Sequence, residues 1–167
     1  MFHALPQGEY PAAVTPVRII GIGSPFGDDQ LAWHIVETLQ QDAHFPQLQQ
    51  QQLSFIKADR PGAGLLELMQ GADLVILIDA MKSGARQGTI RRFEEHEIED
   101  LTVPLSSHGF GVTAALTLAQ ALNAMPKKLI LYGIEVQETE GIKFDSSLYD
   151  IEAIARKITT DAGLLKA

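Results

Sequence analysis

Apolar runs of strand length alternate with helix-period segments along most of the chain. Residues 17–22, Val-Arg-Ile-Ile-Gly-Ile, read as a strand running into glycines. Over residues 29–41, Leu31, Ile35 and Leu39 recur at every fourth position, which gives a helix one buried face. Residues 53–57 form a second strand, followed by a breaker of Pro61, Gly62 and Gly64 and a short helix over 65–70 that stops at Gly71. The run 74–78, Leu-Val-Ile-Leu-Ile, is wholly apolar and suits a central strand covered on both faces. Residues 88–93 are shorter and more polar, as an edge strand should be. An Ala- and Leu-rich helix over 112–122 ends before Pro126, a strand follows over 128–134, and an amphipathic helix over 148–157 comes last. The Gln-rich stretch 47–52 is expected to be an exposed helix end or loop. This alternation predicts an α/β sandwich, with helices on both faces of a mostly parallel sheet. No repeat or Pro/Gly/Ser-rich linker divides the chain, so residues 1–167 are read as one domain in which 1–16 is an N-terminal extension.

Composition narrows the function classes. A chain of 167 residues can bury roughly 70% of its unfolded surface and needs no staples. Thirteen basic against twenty-one acidic residues give a formal charge of −8, which argues against partners that present phosphates, both nucleic acids and anionic membranes. There is no cysteine, which excludes disulfides, thiolate metal sites, iron–sulfur clusters and Cys nucleophiles. Residues 1–10 have neither a basic start nor an apolar stretch of leader length, and no run approaches a membrane span, so a cytoplasmic location is expected.

Ligands of open α/β sheets collect beyond the carboxyl ends of the strands, and three polar clusters fall there. The first is Gly21-Ile-Gly-Ser-Pro-Phe-Gly-Asp28-Asp29. Its glycines invite a dinucleotide reading, but Phe26 stands where that motif needs its third glycine, and the two carboxylates would repel a pyrophosphate. Helix capping and a functional role are both open for the acidic pair. The second is Asp79, after the most apolar strand, where a carboxylate either lies in a cleft at the sheet edge or carries a desolvation cost. The third is Ser106-Ser107-His108-Gly109, ahead of the helix over 112–122. His3, His34, His44 and His96 read as surface residues.

Asp29, Asp79 and His108 together offer two hard oxygens and an imidazole, a set suited to a divalent metal with open positions, from zinc through nickel to manganese. They are far apart in sequence, so only the fold can unite them. A Ser/His/Asp triad from Ser106 or Ser107, His108 and Asp79 is the competing assembly. It lacks a Gly-x-Ser-x-Gly elbow, and a serine next to its own histidine is poorly placed to donate to it.

These motifs, in this order, resemble the hydrogenase maturation proteases, a family of nickel-dependent endopeptidases. The likeness runs from about residue 17 to 154. It rests on the glycine loop with Asp28-Asp29 and Ile35-Val36-Glu37, on Asp79-Ala80, on Ser107-His108-Gly109, and on the later segments Gly88-Thr-Ile-Arg-Arg-Phe-Glu94 and Leu131-Tyr-Gly-Ile-Glu135. The resemblance implies a three-layer α/β/α sandwich with a five-stranded sheet, one strand antiparallel. It implies that Asp29, Asp79 and His108 are both the catalytic set and the nickel contacts, with Asp28 the capping member of its pair. It also implies removal of a C-terminal extension from the large-subunit precursor of a nickel–iron hydrogenase, the nickel being carried by that precursor, with another divalent metal able to substitute in vitro. The loop bearing Asp59, Gly62 and Gly64 is expected to face the substrate. Two segments depart from the family pattern: Gln30-Leu-Ala32 replaces a Gly-x-Gly, and Asp59-Arg-Pro-Gly-Ala-Gly64 stands where Asp-Gly-Gly-Thr-x-Gly is usual. A non-catalytic protein of the same fold that binds the precursor or a small ligand is the alternative, and a nucleotide-binding domain is third.

Overall fold

The computed structural model describes residues 16–42, 52–98, 111–137 and 143–164. Five strands, β1 (Val17–Gly23), β2 (Leu53–Asp59), β3 (Leu74–Met81), β4 (Ile90–Glu94) and β5 (Lys128–Glu135), form one sheet in the order β2-β1-β3-β5-β4. Only β4 runs antiparallel, paired with β5 at one edge. The helices are α1 (Leu31–Gln41), α2 (Leu65–Met69), α3 (Glu95–Ile98), α4 (Val112–Ala121) and α5 (Ile151–Asp161). Short 3-10 turns precede α1 (Gly27–Gln30), α2 (Gly62–Gly64) and α5 (Ser146–Leu148). Among the described residues no helix is long and apolar enough to cross a membrane.

Strand alternation sorts the core into two layers. Ile19, Ile76, Ile78, Ile130 and Tyr132 pack with Leu31, Ile35 and Leu39 of α1 and Ile154 and Ile158 of α5. On the other face Ile20, Ile22, Val75, Leu77 and Leu131 pack with Leu65 and Met69 of α2 and Ala115, Leu116 and Ala119 of α4. The three-layer sandwich, its five strands and its one antiparallel edge are as the resemblance implies. The all-apolar run 74–78 does lie mid-sheet, flanked by β1 and β5. β3 is longer than its apolar run, however, and continues through Asp79 to Met81 because β5 pairs with it to the end. The last helix also extends further, to Asp161, whose carboxylate accepts from Tyr132 Oη (2.7 Å) and ion-pairs with Arg92 Nε (3.0 Å). Burial and this carboxylate push the Tyr132 phenol well above its ordinary range. Most of the Gln-rich stretch lies outside the described residues, as do His3 and His44. His96 is exposed, whereas His34 is half-buried and stacks on Phe144 at 4.5 Å between ring centres.

Two local devices shape the carboxyl edge of the sheet. At β1, the backbone of α1 and its 3-10 turn lies directly on the strand. A Cβ on Gly21 would stand 2.7 Å from the Ala32 carbonyl oxygen, and one on Gly23 would overlap the Asp29 carbonyl. The glycines are there for close helix–strand packing. At β5, the buried carboxylate of Glu135 accepts from Ser83 N (2.8 Å), Gly84 N (2.9 Å) and Ser83 Oγ (2.6 Å), so it clamps the turn that leaves β3.

Gly23→Ala should therefore lower stability by about 1–3 kcal/mol, as overpacking does. In a denaturant titration, a midpoint equal to that of the wild type would contradict the close seat. Glu135→Ala should cost about 2–3 kcal/mol by orphaning buried donors of a charged acceptor. It should also accelerate amide exchange at Ser83 and Gly84, and unchanged exchange there would show that the clamp does not hold the turn.

Candidate active-site edge

The ladder between β1 and β3 ends at Gly21 and Ile78. Beyond it β1 stays with β2 as far as Gly23 opposite Asp59, and β3 stays with β5 as far as Met81 opposite Glu135. The strands part at the point where chain order turns from one side of the sheet to the other, which is where open α/β folds build ligand crevices. Asp79 is the first residue of β3 past the end of that ladder, and the 3-10 turn carrying Asp28 and Asp29 packs against both β1 and β3.

Asp79 is completely buried, the costlier of the two expected placements, and β3 runs on past it to Met81. It shares the face of Val75, Leu77 and Met81, the layer covered by α2 and α4. Asp29 is half-buried, and its Oδ2 accepts from Ser24 Oγ at 2.9 Å. Asp28 is only 8% exposed and turns toward the α1 and α5 layer, beside Tyr149. Successive residues of one helical turn cannot aim at the same point, and here they face different surroundings. Neither acid is the expected N-cap. Phe26 and Gln30 hold those positions, and neither makes a side-chain cap bond, so the capping role expected of Asp28 is not observed.

Asp59 ends β2 and is exposed, with its two oxygens paired to Arg60 Nε (2.6 Å) and Nη2 (3.2 Å). That guanidinium holds the Asp59 carboxyl below the usual carboxylate range. The Arg60 backbone donates to the Gly23 carbonyl (2.9 Å) and its guanidinium lies 5.8 Å over the ring of Phe26, itself 54% exposed. Arg60 also lies in the field of Asp29. The loop after β2 is thus locked to the loop after β1. Gly62 takes a left-handed conformation (φ 52°) to start the next turn, whereas nothing crowds Gly64. Trp33 Nε1 donates to the Ala58 carbonyl (3.2 Å), tying α1 to β2 from the other side.

Ser106, Ser107, His108 and Gly109 lie outside the described residues. The chain is described again from Gly111, the N-cap of α4. Because α4 leads by a short connection into β5, parallel to β3, it begins at the carboxyl edge of the sheet, on the face that Asp79 shares. Among the described residues no three His, Asp or Glu side chains form a metal-holding group. Among those residues Asp29 and Asp79 both lie where β1 and β3 part, and His108 lies outside them. Four neighbours that the sequence reading left without a role are Ser24, Phe26, Arg60 and Tyr149. Burial is the main reason the Tyr149 phenol is raised; the Gln87 amide opposes this and the nearby charge of Asp28 adds to it.

The model of the hydrogenase maturation protease family matches residues 33–160, so it takes in Asp59, Asp79 and His108 and starts just beyond Asp29. Two curated relatives are the hydrogenase expression/formation proteins HoxM of Cupriavidus necator and HupD of Thiocapsa roseopersicina. Each is 28% identical over 127 residues, which is 74% of this chain and 61% and 56% of theirs. The chain thus spans less than two thirds of the length of these relatives. Among solved structures, the hydrogenase-maturating endopeptidase HybD from E. coli superposes with a TM-score of 0.72 at 22% identity, covering 90% of this chain and 93% of that one. The [NiFe] hydrogenase maturation protease HycI from Thermococcus kodakarensis gives 0.63 at 20% identity, covering 93% and 96%. These two likenesses speak to the fold, and the family match spans most of the chain: the protein belongs to the hydrogenase maturation protease family.

Proposed function

We propose that this protein is an endopeptidase that removes the C-terminal extension of a nickel–iron hydrogenase large-subunit precursor once nickel has been inserted. The observation that carries the reading is the pair of carboxylates at the β1–β3 crevice. Asp29 is presented by a turn seated on β1, and Asp79 lies just past the end of the β1–β3 ladder. His108, three residues ahead of the N-cap of α4, is the third contact in this proposal. Hard carboxylate oxygens with an imidazole suit a divalent ion with positions left open.

The nickel belongs to the precursor, so the crevice reads the metal as a mark of completed loading. Bound there, it polarises the scissile carbonyl or acidifies a water. Water adds to the carbonyl carbon, a carboxylate of the crevice takes its proton, and that proton passes to the departing amine as the C–N bond breaks. The buried position of Asp79 strengthens such electrostatics, since charges act more strongly where water is excluded. The exposed Asp59–Arg60 loop, tied to Gly23, is the wall against which the precursor rests. No nucleic acid or membrane enters this reading.

Mass spectrometry of a nickel-loaded precursor incubated with the protein tests it. The wild type should shorten the precursor. Asp29→Asn should remain folded and lose processing, whereas Asp28→Asn should process and lose about 1–2 kcal/mol of stability as a buried acceptor is weakened. Capture of the precursor without shortening would favour the binding-protein alternative, and the reverse pattern in the two variants would show the pair to be wrongly assigned.

A further inference from the structure

A groove of about 540 Å³ opens beside the crevice, between the turn from β3 to β4 and the start of α5, lined by Arg86, Gly88, Ile90, Leu148, Tyr149 and Lys157 among others. Its size is that of a cleft that takes a ligand or a short peptide segment, roughly 300–1,000 Å³. Its lining reaches toward the active-site edge, because it includes Tyr149, which lies in the field of Asp28. The position of the β3–β4 turn depends on the Glu135 clamp. One rim is the start of β4, a strand paired on one side only.

The charges of the groove are uneven. Among the described residues its one lining carboxylate, Asp150, is committed to capping α5 through Ala153 N at 3.0 Å. Arg86 and Lys157 are exposed and have no ion-pair partner among the described residues, in a chain whose formal charge is −8. Leu148, 47% exposed, adds an apolar contact to the same lining. Uncommitted cations beside an exposed leucine and a strand edge fit an extended peptide that carries carboxylate groups.

We infer that this groove receives the C-terminal tail of the precursor, with carboxylates of the tail against Arg86 and Lys157 and an apolar side chain against Leu148. The inference rests on the processing activity proposed above and names the subsite that holds the tail while the crevice holds the metal. The carboxylates are the tail's terminal group or its acidic side chains.

The test pairs two measurements. A synthetic peptide of the precursor's C-terminal extension is titrated into the wild type, into the double variant Arg86→Ala/Lys157→Ala, into Leu148→Asp and into Lys128→Ala, which removes an exposed cation from the opposite end of the sheet. In parallel, processing of the loaded precursor is followed for KM and kcat. The double variant should bind the peptide about tenfold more weakly and raise KM by a similar factor at constant kcat, as loss of uniform binding does. Leu148→Asp should weaken binding, and Lys128→Ala should match the wild type. A peptide amidated at its terminus and one with its acids changed to amides identify the source of the carboxylates, because the modification that weakens binding is the one that removes the group that matters. If the wild type cleaves but the double variant keeps wild-type affinity and KM, the groove assignment is overturned while the protease stands. If the wild type does not cleave yet binds the peptide through these cations, the protease reading fails and the groove stands. Equal binding of all three peptides overturns the groove assignment in either case.

Discussion

The active-site edge depends on how closely α1 and its leading 3-10 turn approach β1. Helix-on-sheet packing ordinarily leaves room for a layer of side chains, but at Gly21 and Gly23 the backbone of the helical segment itself meets the strand. That contact fixes the turn bearing Asp28 and Asp29 over the end of β1, and the two acids then diverge. One faces the Tyr149 side of the edge, and the other is held by Ser24. The same seat sets the Gly23 carbonyl where the Arg60 backbone donates to it, so the loop after β2 takes its place from the loop after β1.

The second constraint is the burial of acid groups at the ends of apolar strands. Asp79 and Glu135 lie on adjacent strands, both buried, two register positions apart. Removing a carboxylate from water is costly unless it is hydrogen-bonded or matched by charge. Glu135 meets that cost with donors of the turn after β3, and so becomes an architectural group. Asp79 lies past the end of the β1–β3 ladder, where the two strands part. The two carboxylates divide the edge between them, one fixing the wall on the β4 side and the other facing the layer from which α4 begins.

Much of this was legible in the sequence. The run 74–78 suits a strand covered on both faces and the more polar segment 88–93 an edge strand, which is how β3 and β4 lie. The glycine loop departs from dinucleotide motifs in its spacing, but the purpose of its glycines was not legible, because the close approach is set by how α1 and its leading turn dock on β1. The capping role expected of Asp28 failed because the chain enters α1 through a 3-10 turn, which moves the N-cap positions to Phe26 and Gln30. Glu135 was passed over although the cue that singled out Asp79, a carboxylate at the end of an apolar run, applies to it equally. Its partners lie about fifty residues upstream and join it only through β-pairing. Arg86 carries no signal in the sequence, and positions 148 and 157 only bound the expected last helix; the turn after β3 and the entry to α5 bring the three to one groove.

The central claim is that the crevice recognises a metal carried by its substrate. The most direct measurement is the mass of one large-subunit precursor, prepared with and without nickel, after incubation with this protein under identical conditions. The account predicts loss of the C-terminal extension from the nickel-loaded form and an intact nickel-free form. Equal cleavage of the two would contradict it.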